Sequence, residues 1–231
     1  MKKSVKIILE IVLVPVIALL VWAIVQSIMK PVNFNKQKAY RETVAVQRLK
    51  DIRTLQVAYK SVNAKFTSTV DSLKDFYNNG KMAIVMQVGS MDDSLAMIHT
   101  EKIKKASRKK MTGEDFLKLY DAGDRILVFS VETKIPVKDT LFLGRTDFNV
   151  VSLATIPFSG GEPVQMDAIV KTVSGVQVPL FEAKMPYKLL LKGLDNQLRI
   201  NLDAERRDQN RYEGLQVGSV SAPNNNAGNW E

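Results

Sequence analysis

The sequence predicts an α+β protein in which one apolar N-terminal helix continues into an amphipathic helical stalk, packed on a mainly antiparallel β-sheet domain. Three observations predict this class. The segment 7–29 is almost wholly apolar, the following segment repeats apolar residues every three or four positions, and the C-terminal half carries short β-rich runs. The predicted order begins with helices, continues with a mixture of helices and strands, and ends mainly with strands. This order is typical of α+β proteins.

The first element is long and apolar enough to cross a membrane. Every residue of 11–25 is apolar, and the polar residues of 7–29 are Glu10, Gln26 and Ser27. At about 1.5 Å per residue, the segment spans the roughly 30 Å hydrocarbon core of a bilayer. Since hydrocarbon offers no water to backbone amides, a lone spanning segment must be a helix. We therefore predict a transmembrane helix at 7–29 after a cytoplasmic tail at 1–6.

A cleaved signal peptide is the competing interpretation, because lysines precede the apolar run at Lys2, Lys3 and Lys6. The run is longer than the roughly 7–15 residues of a signal-peptide core, and no small-x-small cleavage site follows it. We therefore favour an uncleaved anchor. Basic residues flank both ends, so the positive-inside rule does not decide orientation. The very short basic tail favours a cytoplasmic N-terminus.

A helical stalk is predicted over 30–80. Its apolar residues recur at spacings of three and four, as on one face of a helix. They are Ala45, Leu49, Ile52, Leu55, Tyr59 and Val62. A shorter helix is expected at 69–79, with Ser68 and Asp71 forming a capping box and Gly80 a left-handed stop.

The predicted soluble α+β domain covers 81–213. We expect strands at 81–88 and 126–131 and, between them, a helix capped by Thr112 and Asp115; the polar segment 91–111 has no clear assignment.

Further on, a hairpin at 164–183 turns at Ser174-Gly175, which is a strong hairpin signal. One or two helical turns follow at 186–194, and the alternation at 197–202 predicts a strand. Residues 214–231 are interpreted as a Gly/Asn-rich tail.

Composition narrows the chemistry. The chain has no cysteine and one histidine, His99, so disulfides, thiolate chemistry and the usual Cys/His zinc sites are not expected. Ser159-Gly160-Gly161 lacks the spacing of a phosphate-binding loop and is interpreted as a turn. The acidic pairs Asp92-Asp93 and Asp203 with Glu205 are interpreted as solvated faces. We expect no enzyme and no cofactor, although an enzyme with an unrecognised site stays an alternative.

The net charge of +9 predicts attraction to anionic surfaces. The densest basic stretch has two interpretations, a solvated face or a contact with anionic lipid or nucleic acid. Nucleic acid is the weaker option because no aromatic residues alternate with the charges. The stretch comprises Lys102, Lys104, Lys105, Arg108, Lys109 and Lys110.

Glu10 is the informative polar residue of the apolar run. A carboxylate within a spanning helix costs about 2.5–3.5 kcal/mol near the bilayer centre and less near its end. Glu10 lies in the first turn, so either it reaches the headgroups or it pairs with a cation of a neighbouring protein.

Three stretches resemble the type IV pilins and the pseudopilins of type II secretion. The segment 6–14 (KIILEIVLV) is similar to a mature pilin start, where a glutamate at the fifth position opens a long apolar helix. The segment 51–66 resembles the end of that helix, and 226–231 (NAGNWE) resembles the ending of major pseudopilins. Differences are Val5 in place of the glycine before the cleavage site, and a tail without the family's acidic calcium loop.

The resemblance implies a structural or assembly role in a secretion or surface machine. Glu10 would then neutralise a neighbouring subunit's N-terminal amine. Expected partners are membrane lipid and other membrane or envelope proteins, including further copies of the chain. The expected location is the inner membrane, with the soluble domain in the periplasm. The alternative is a bitopic accessory or regulatory subunit whose basic surface contacts anionic lipid or nucleic acid.

Overall fold

The computed structural model describes the backbone of residues 3–231 and the side chains from Val12 onward. It shows a long apolar N-terminal helix, further helices and antiparallel sheets, as the sequence predicts. The chain divides into two compact units. The first unit comprises Met1–Thr54 and Val151–Glu231, and the second comprises Leu55–Val150.

Helix α1, Lys3–Asn63, is the dominant element. It continues through Pro15 and Pro31, each of which removes one backbone donor without ending the helix. The prediction that the apolar helix continues past Pro31 into the stalk is confirmed. The predicted stripe is confirmed at Ala45, Leu49 and Ile52, which are fully buried.

The second unit contains the end of α1, several short helices and a two-stranded antiparallel sheet. Its elements are α2 (Val70–Asn79), β1 (Lys81–Val88), α3 (Ser94–Ala106), α4 (Gly113–Asp121), β2 (Phe129–Pro136) and a 3-10 turn, Val137–Asp139. Strand β1 pairs with β2 from Lys81↔Pro136 to Val88↔Phe129. Phe116, Phe129 and Val131 belong to one buried cluster of this unit.

Three of the predicted features in the second unit are wrong in detail. The α2 cap is Thr69, whose hydroxyl accepts from the Ser72 amide, and Gly80 ends the helix with an extended φ of −71°. The second strand begins at Phe129 and not at 126, so 126–128 precede the sheet. The Thr112–Asp115 capping box of α4 and strand 81–88 are confirmed.

The first unit combines α1 up to Thr54 with a three-stranded antiparallel sheet in the order β3-β4-β5. Its remaining elements are β3 (Gln165–Val173), β4 (Val176–Pro186), α5 (Tyr187–Leu190), α6 (Asn196–Asp208) and β5 (Gly214–Gly218). A 3-10 turn, Val150–Ala154, begins at the boundary between the units. The predicted hairpin is confirmed, because Ser174 and Gly175 both adopt positive φ, as its tight turn requires.

Two predictions for the first unit are wrong. The segment 197–202 belongs to helix α6, whose N-cap Asp195 accepts from the Leu198 amide at 3.0 Å. Residues 214–218, assigned to the tail by composition, form β5 instead, with Leu215 and Val217 buried. At 197–202, the helix cap from the Asp195 carboxylate outweighs the alternating pattern that predicted a strand. At 214–218, the alternation of a short strand outweighs the Gly- and Asn-rich composition that predicted a tail.

Candidate functional site

Residues 12–29 of α1 expose apolar side chains on all faces of the helix. We call residues 12–29 the apolar segment. Leu19 and Trp22 are 63% and 64% exposed, and none of the most apolar stretch is buried within the structure. Burial stabilises each large apolar side chain by about 1.5–3 kcal/mol. An uncovered run of such side chains therefore marks a surface that another apolar surface or medium would cover.

By length and composition, α1 is the one described helix that could cross a membrane, with a mean hydropathy of 2.5 over its most apolar stretch. A globular core helix would also be apolar all round, but it would be buried. The apolar segment meets the length requirement of a bilayer and has no protein cover.

The following part of α1 has the opposite character. We call residues 34–54 the packed segment. It begins at buried Phe34, and its buried stripe continues through Ala45, Leu49 and Ile52. Polar residues such as Lys36 and Lys50 stay exposed between these positions. This segment therefore satisfies its apolar face inside its own unit.

Arginines of the packed segment bind backbone carbonyls far away in the sequence. Arg41 Nη1 donates to the carbonyls of Leu190 and Lys192 at 3.0 and 2.9 Å. Arg48 Nη1 donates to the carbonyls of Ser152 and Thr155 at 2.9 and 2.7 Å. Carbonyls at helix and turn ends lack partners within their own element, and guanidinium donors satisfy them. Partial burial lowers the pKa of Arg48.

A buried tyrosine joins α1 to two other elements of the first unit. Tyr187 Oη donates to Glu42 Oε1 at 2.5 Å and accepts from Arg206 Nη2 at 2.9 Å. Burial raises the pKa of Tyr187 well above that of a free tyrosine, with the Glu42 carboxylate adding to the effect. The hydroxyl therefore stays protonated and keeps donating to Glu42.

The C-terminal tail folds back onto β5 and α1. The Asn229 amide donates to the Gln216 carbonyl at 2.9 Å, and Gly228 forms an isolated bridge with Val217. Glu231 accepts from Arg53 Nη1 at 2.7 Å. This hydrogen bond lowers the pKa of the Glu231 carboxyl. The ending that resembles pseudopilins is thus an ordered part of the first unit.

The predicted assembly residue, Glu10, is part of helix α1, and its side chain lies outside the part of the chain whose side chains are described. Its proposed role therefore stays a prediction.

The predicted basic stretch is divided by the end of α3. Lys102, Lys104 and Lys105 lie on the helix, and Arg108–Lys110 follow it. All six side chains are exposed. Lys104 pairs with Glu101 at 3.0 Å, while the other five have no ion-pair partner among residues 12–231. All six charges are thus exposed, three on α3 and three after its end, and their role stays a prediction.

Sequence reasoning missed an apolar surface beside these charges. Helix α3 turns buried Ala96 and Thr100 inward, while Leu95 and Ile98 point outward. Leu95 is 77% exposed, and the preceding Met91 is also exposed. Leu95, Ile98, Lys102 and Lys105 follow helical spacing, which places apolar and basic residues on one outer face. The segment's mixed composition had hidden this pattern.

The chemically reactive candidates of the sequence are engaged in structural contacts. His99 Nε2 lies 2.8 Å from Asp124 Oδ2. Ser159 is buried, with its hydroxyl donating to the Ile156 carbonyl at 2.7 Å within a turn, as predicted. Within residues 12–231, no group of three or more His, Asp or Glu side chains is placed to hold a metal ion.

One acidic prediction needs correction. Asp203 is not on a solvated face: it is 6% exposed and bound to Arg199 one helical turn earlier. Burial raises its pKa. It lines a cleft of about 620 Å³ in which Glu213 is likewise bound, to Arg207 at 2.7 Å. Both carboxylates of this cleft therefore form ion pairs.

No comparison identifies the chain. No protein-family model, curated protein or solved structure matches it. The feature of the chain that bears most on its function is the contrast between the apolar segment and the packed segment of α1.

Proposed function

We propose that this chain is a single-pass, pilin-like envelope protein that acts as a structural or assembly component of a secretion or surface machine. In this proposal the apolar segment lies in the inner membrane and the two compact units lie in the periplasm. The observation that carries the proposal is the two-part character of α1: bare and apolar in residues 12–29, packed in residues 34–54.

Membrane insertion is supported by the free energy of the apolar segment. Its uncovered side chains would each lose a large part of about 1.5–3 kcal/mol if they faced water. A bilayer removes this penalty along the whole segment, whereas binding to one partner covers only one face. The length of the segment matches the hydrocarbon core.

An assembling role is supported by how firmly the packed segment is held. Arg41, Arg48 and the Glu42–Tyr187 hydrogen bond connect α1 to distant parts of the first unit. A helix fixed in this way can transmit force from the membrane to the first unit and can hold that unit at a fixed position. The resemblance to pilins adds the expectation that neighbouring apolar segments pack together and that Glu10 assists their docking.

Crosslinking in native membranes tests the assembling role. We expect higher-order species of the wild type and at least about a tenfold loss of them in Glu10→Leu, which removes a charge partner worth roughly 1.4 kcal/mol or more. The matched control is Gln26→Leu, a polar-to-apolar change near the other end of the predicted transmembrane segment 7–29, which should leave crosslinking unchanged. Monomer alone in wild-type membranes would rule out an assembling role.

The outer face of α3 favours a second candidate function, a bitopic accessory subunit with a cytoplasmic domain. Exposed Leu95 and Ile98 beside Lys102 and Lys105 suit an anionic membrane surface. Protease added to intact spheroplasts separates the two candidates. Digestion of the soluble part supports the pilin-like proposal, whereas protection until lysis supports the accessory subunit.

A further inference from the structure

A groove lies where the apolar segment meets helix α6 of the same unit. Its α1 wall includes Trp22, Ala23, Gln26, Ser27, Lys30 and Pro31, and its other wall is formed by Asp195, Gln197 and Leu198. The groove has a volume of about 760 Å³, which is within the range of ligand sites. It shares no lining residue with the cleft that contains Asp203 and Glu213.

The groove runs along the end of the apolar segment. Lys30 follows Trp22 by about 12 Å along the helix axis, because eight residues rise 1.5 Å each. If the apolar segment crosses a bilayer, Trp22 and Ala23 lie toward the acyl chains and Lys30 lies at headgroup depth, where long basic side chains reach the interface. The first turn of α6 then borders the headgroups from the side.

Two opposite charges line the groove and have unused hydrogen-bonding capacity. The Lys30 ammonium has no ion-pair or hydrogen-bond partner among the described side chains. Asp195 Oδ1 accepts a hydrogen bond from the Leu198 amide and so caps α6. Asp195 Oδ2 accepts no hydrogen bond from any group of residues 12–231. A complementary ligand carries an anion and an N–H cation a few atoms apart, joined to an apolar body.

We propose that this groove binds a zwitterionic glycerophospholipid with a primary ammonium headgroup, as in phosphatidylethanolamine. Lys30 binds the phosphate, and Asp195 Oδ2 accepts from the ammonium. Trp22, Ala23 and Leu198 contact the upper acyl chains. The site rests on the membrane insertion put forward under the proposed function, and it needs no assembly of copies. Lipid binding here fixes the height of the first unit above the bilayer.

Lipid retention by the full chain tests the site. The protein is released from vesicles containing equal parts of phosphatidylethanolamine, phosphatidylcholine and phosphatidylglycerol, and native mass spectrometry counts the lipids that stay bound. We expect phosphatidylethanolamine to exceed each of the others about threefold, as one partly exposed ion pair provides. Choline lacks N–H donors, and the glycerol headgroup lacks the cation.

Variants assign the two charges. Asp195→Asn keeps the helix cap, because asparagine also caps, and should reduce retention of phosphatidylethanolamine to the level of the other two lipids. Lys30→Gln should lower retention of all three. Lys36→Gln and Asp208→Asn change exposed charges outside the groove and should have no effect.

The outcomes separate this site from the proposed function. Equal retention of all three lipids, unchanged in Asp195→Asn and Lys30→Gln, would overturn the site while leaving the membrane anchor intact. Preferred retention of phosphatidylethanolamine in membranes that yield no crosslinked species would support the site and overturn only the assembling role. Release of the wild type from membranes by alkaline carbonate would overturn both proposals.

Discussion

The two segments of α1 share one continuous helical backbone and differ in what surrounds them. In the apolar segment, residues such as Leu19 and Trp22 are apolar on every face and bare. In the packed segment, a stripe through Leu49 and Ile52 is buried, and charged residues occupy the outer face. An apolar stripe requires one neighbour, whereas an apolar cylinder requires a surrounding medium. The difference is that the apolar face of the packed segment is covered by its own unit, whereas the apolar segment has no protein cover.

The largest expected effect comes from a truncation in the packed segment. Leu49→Ala should lower the free energy of unfolding by about 2–5 kcal/mol, because it leaves a cavity at a side chain with no exposure. Urea denaturation of the full chain in detergent measures this. The matched change Leu20→Ala in the apolar segment should stay within about 0.5 kcal/mol. A similar loss for both variants would remove the contrast between the segments.

A charge in the apolar segment should act on insertion and leave folding of the soluble part unchanged. If the apolar segment spans a bilayer as proposed, Leu19→Lys places an ammonium near the bilayer centre at a cost of about 2.5–3.5 kcal/mol. We expect a larger fraction of this variant to be released by alkaline carbonate. Val57→Lys, at an exposed position near the end of α1, is the control and should fractionate like the wild type. If both variants behaved like the wild type, the segment would not lie in the bilayer.

The arginine contacts of the packed segment should have an intermediate effect. Arg48→Gln leaves the carbonyls of Ser152 and Thr155 without their guanidinium donor and should cost about 1–3 kcal/mol of stability. Chemical denaturation in detergent gives the value. Lys50→Gln alters an exposed side chain two positions away and should be nearly neutral. An equal response of the two variants would show that the carbonyl contacts add no stability.

The smallest effect concerns pH at the Arg53–Glu231 pair. The hydrogen bond from Arg53 lowers the folded-state pKa of Glu231 below the ordinary glutamate value. Its contribution is therefore present above the unfolded-state pKa and is lost as pH falls through the folded-state pKa. We expect Glu231→Gln to have a lower denaturation midpoint than the wild type at pH 7. The two midpoints should converge in strong acid, and a difference independent of pH would contradict this assignment.

Local sequence patterns were sufficient where the structure itself is local. The apolar run, the stripe from Ala45 to Ile52 and the turn at Ser174-Gly175 were all predictable, because periodicity and turn chemistry act over a few residues. The strand predicted at 197–202 failed because six alternating residues fit a short helix as well. The Asp195 cap and the Arg199–Asp203 pair then decide in favour of α6.

The contacts that define the candidate site were not predictable from the sequence. Arg41 and Arg48 bind carbonyls more than a hundred positions away, and no local pattern encodes such partners. The same holds for the groove, where Lys30 and Asp195 come together only after the first unit folds. The tail illustrates the opposite error, because its Gly- and Asn-rich composition concealed a buried edge strand at Leu215 and Val217.

A single-cysteine scan of the apolar segment tests the central claim most directly. The natural chain contains no cysteine, so each introduced thiol between Val12 and Val25 can form a disulfide only with another copy or with a partner protein. After oxidation of native membranes, we predict crosslinked dimers that peak every three or four positions, since helices pack through one face. Absence of dimers at every position, or equal yields throughout, would contradict an apolar segment that both spans the membrane and assembles.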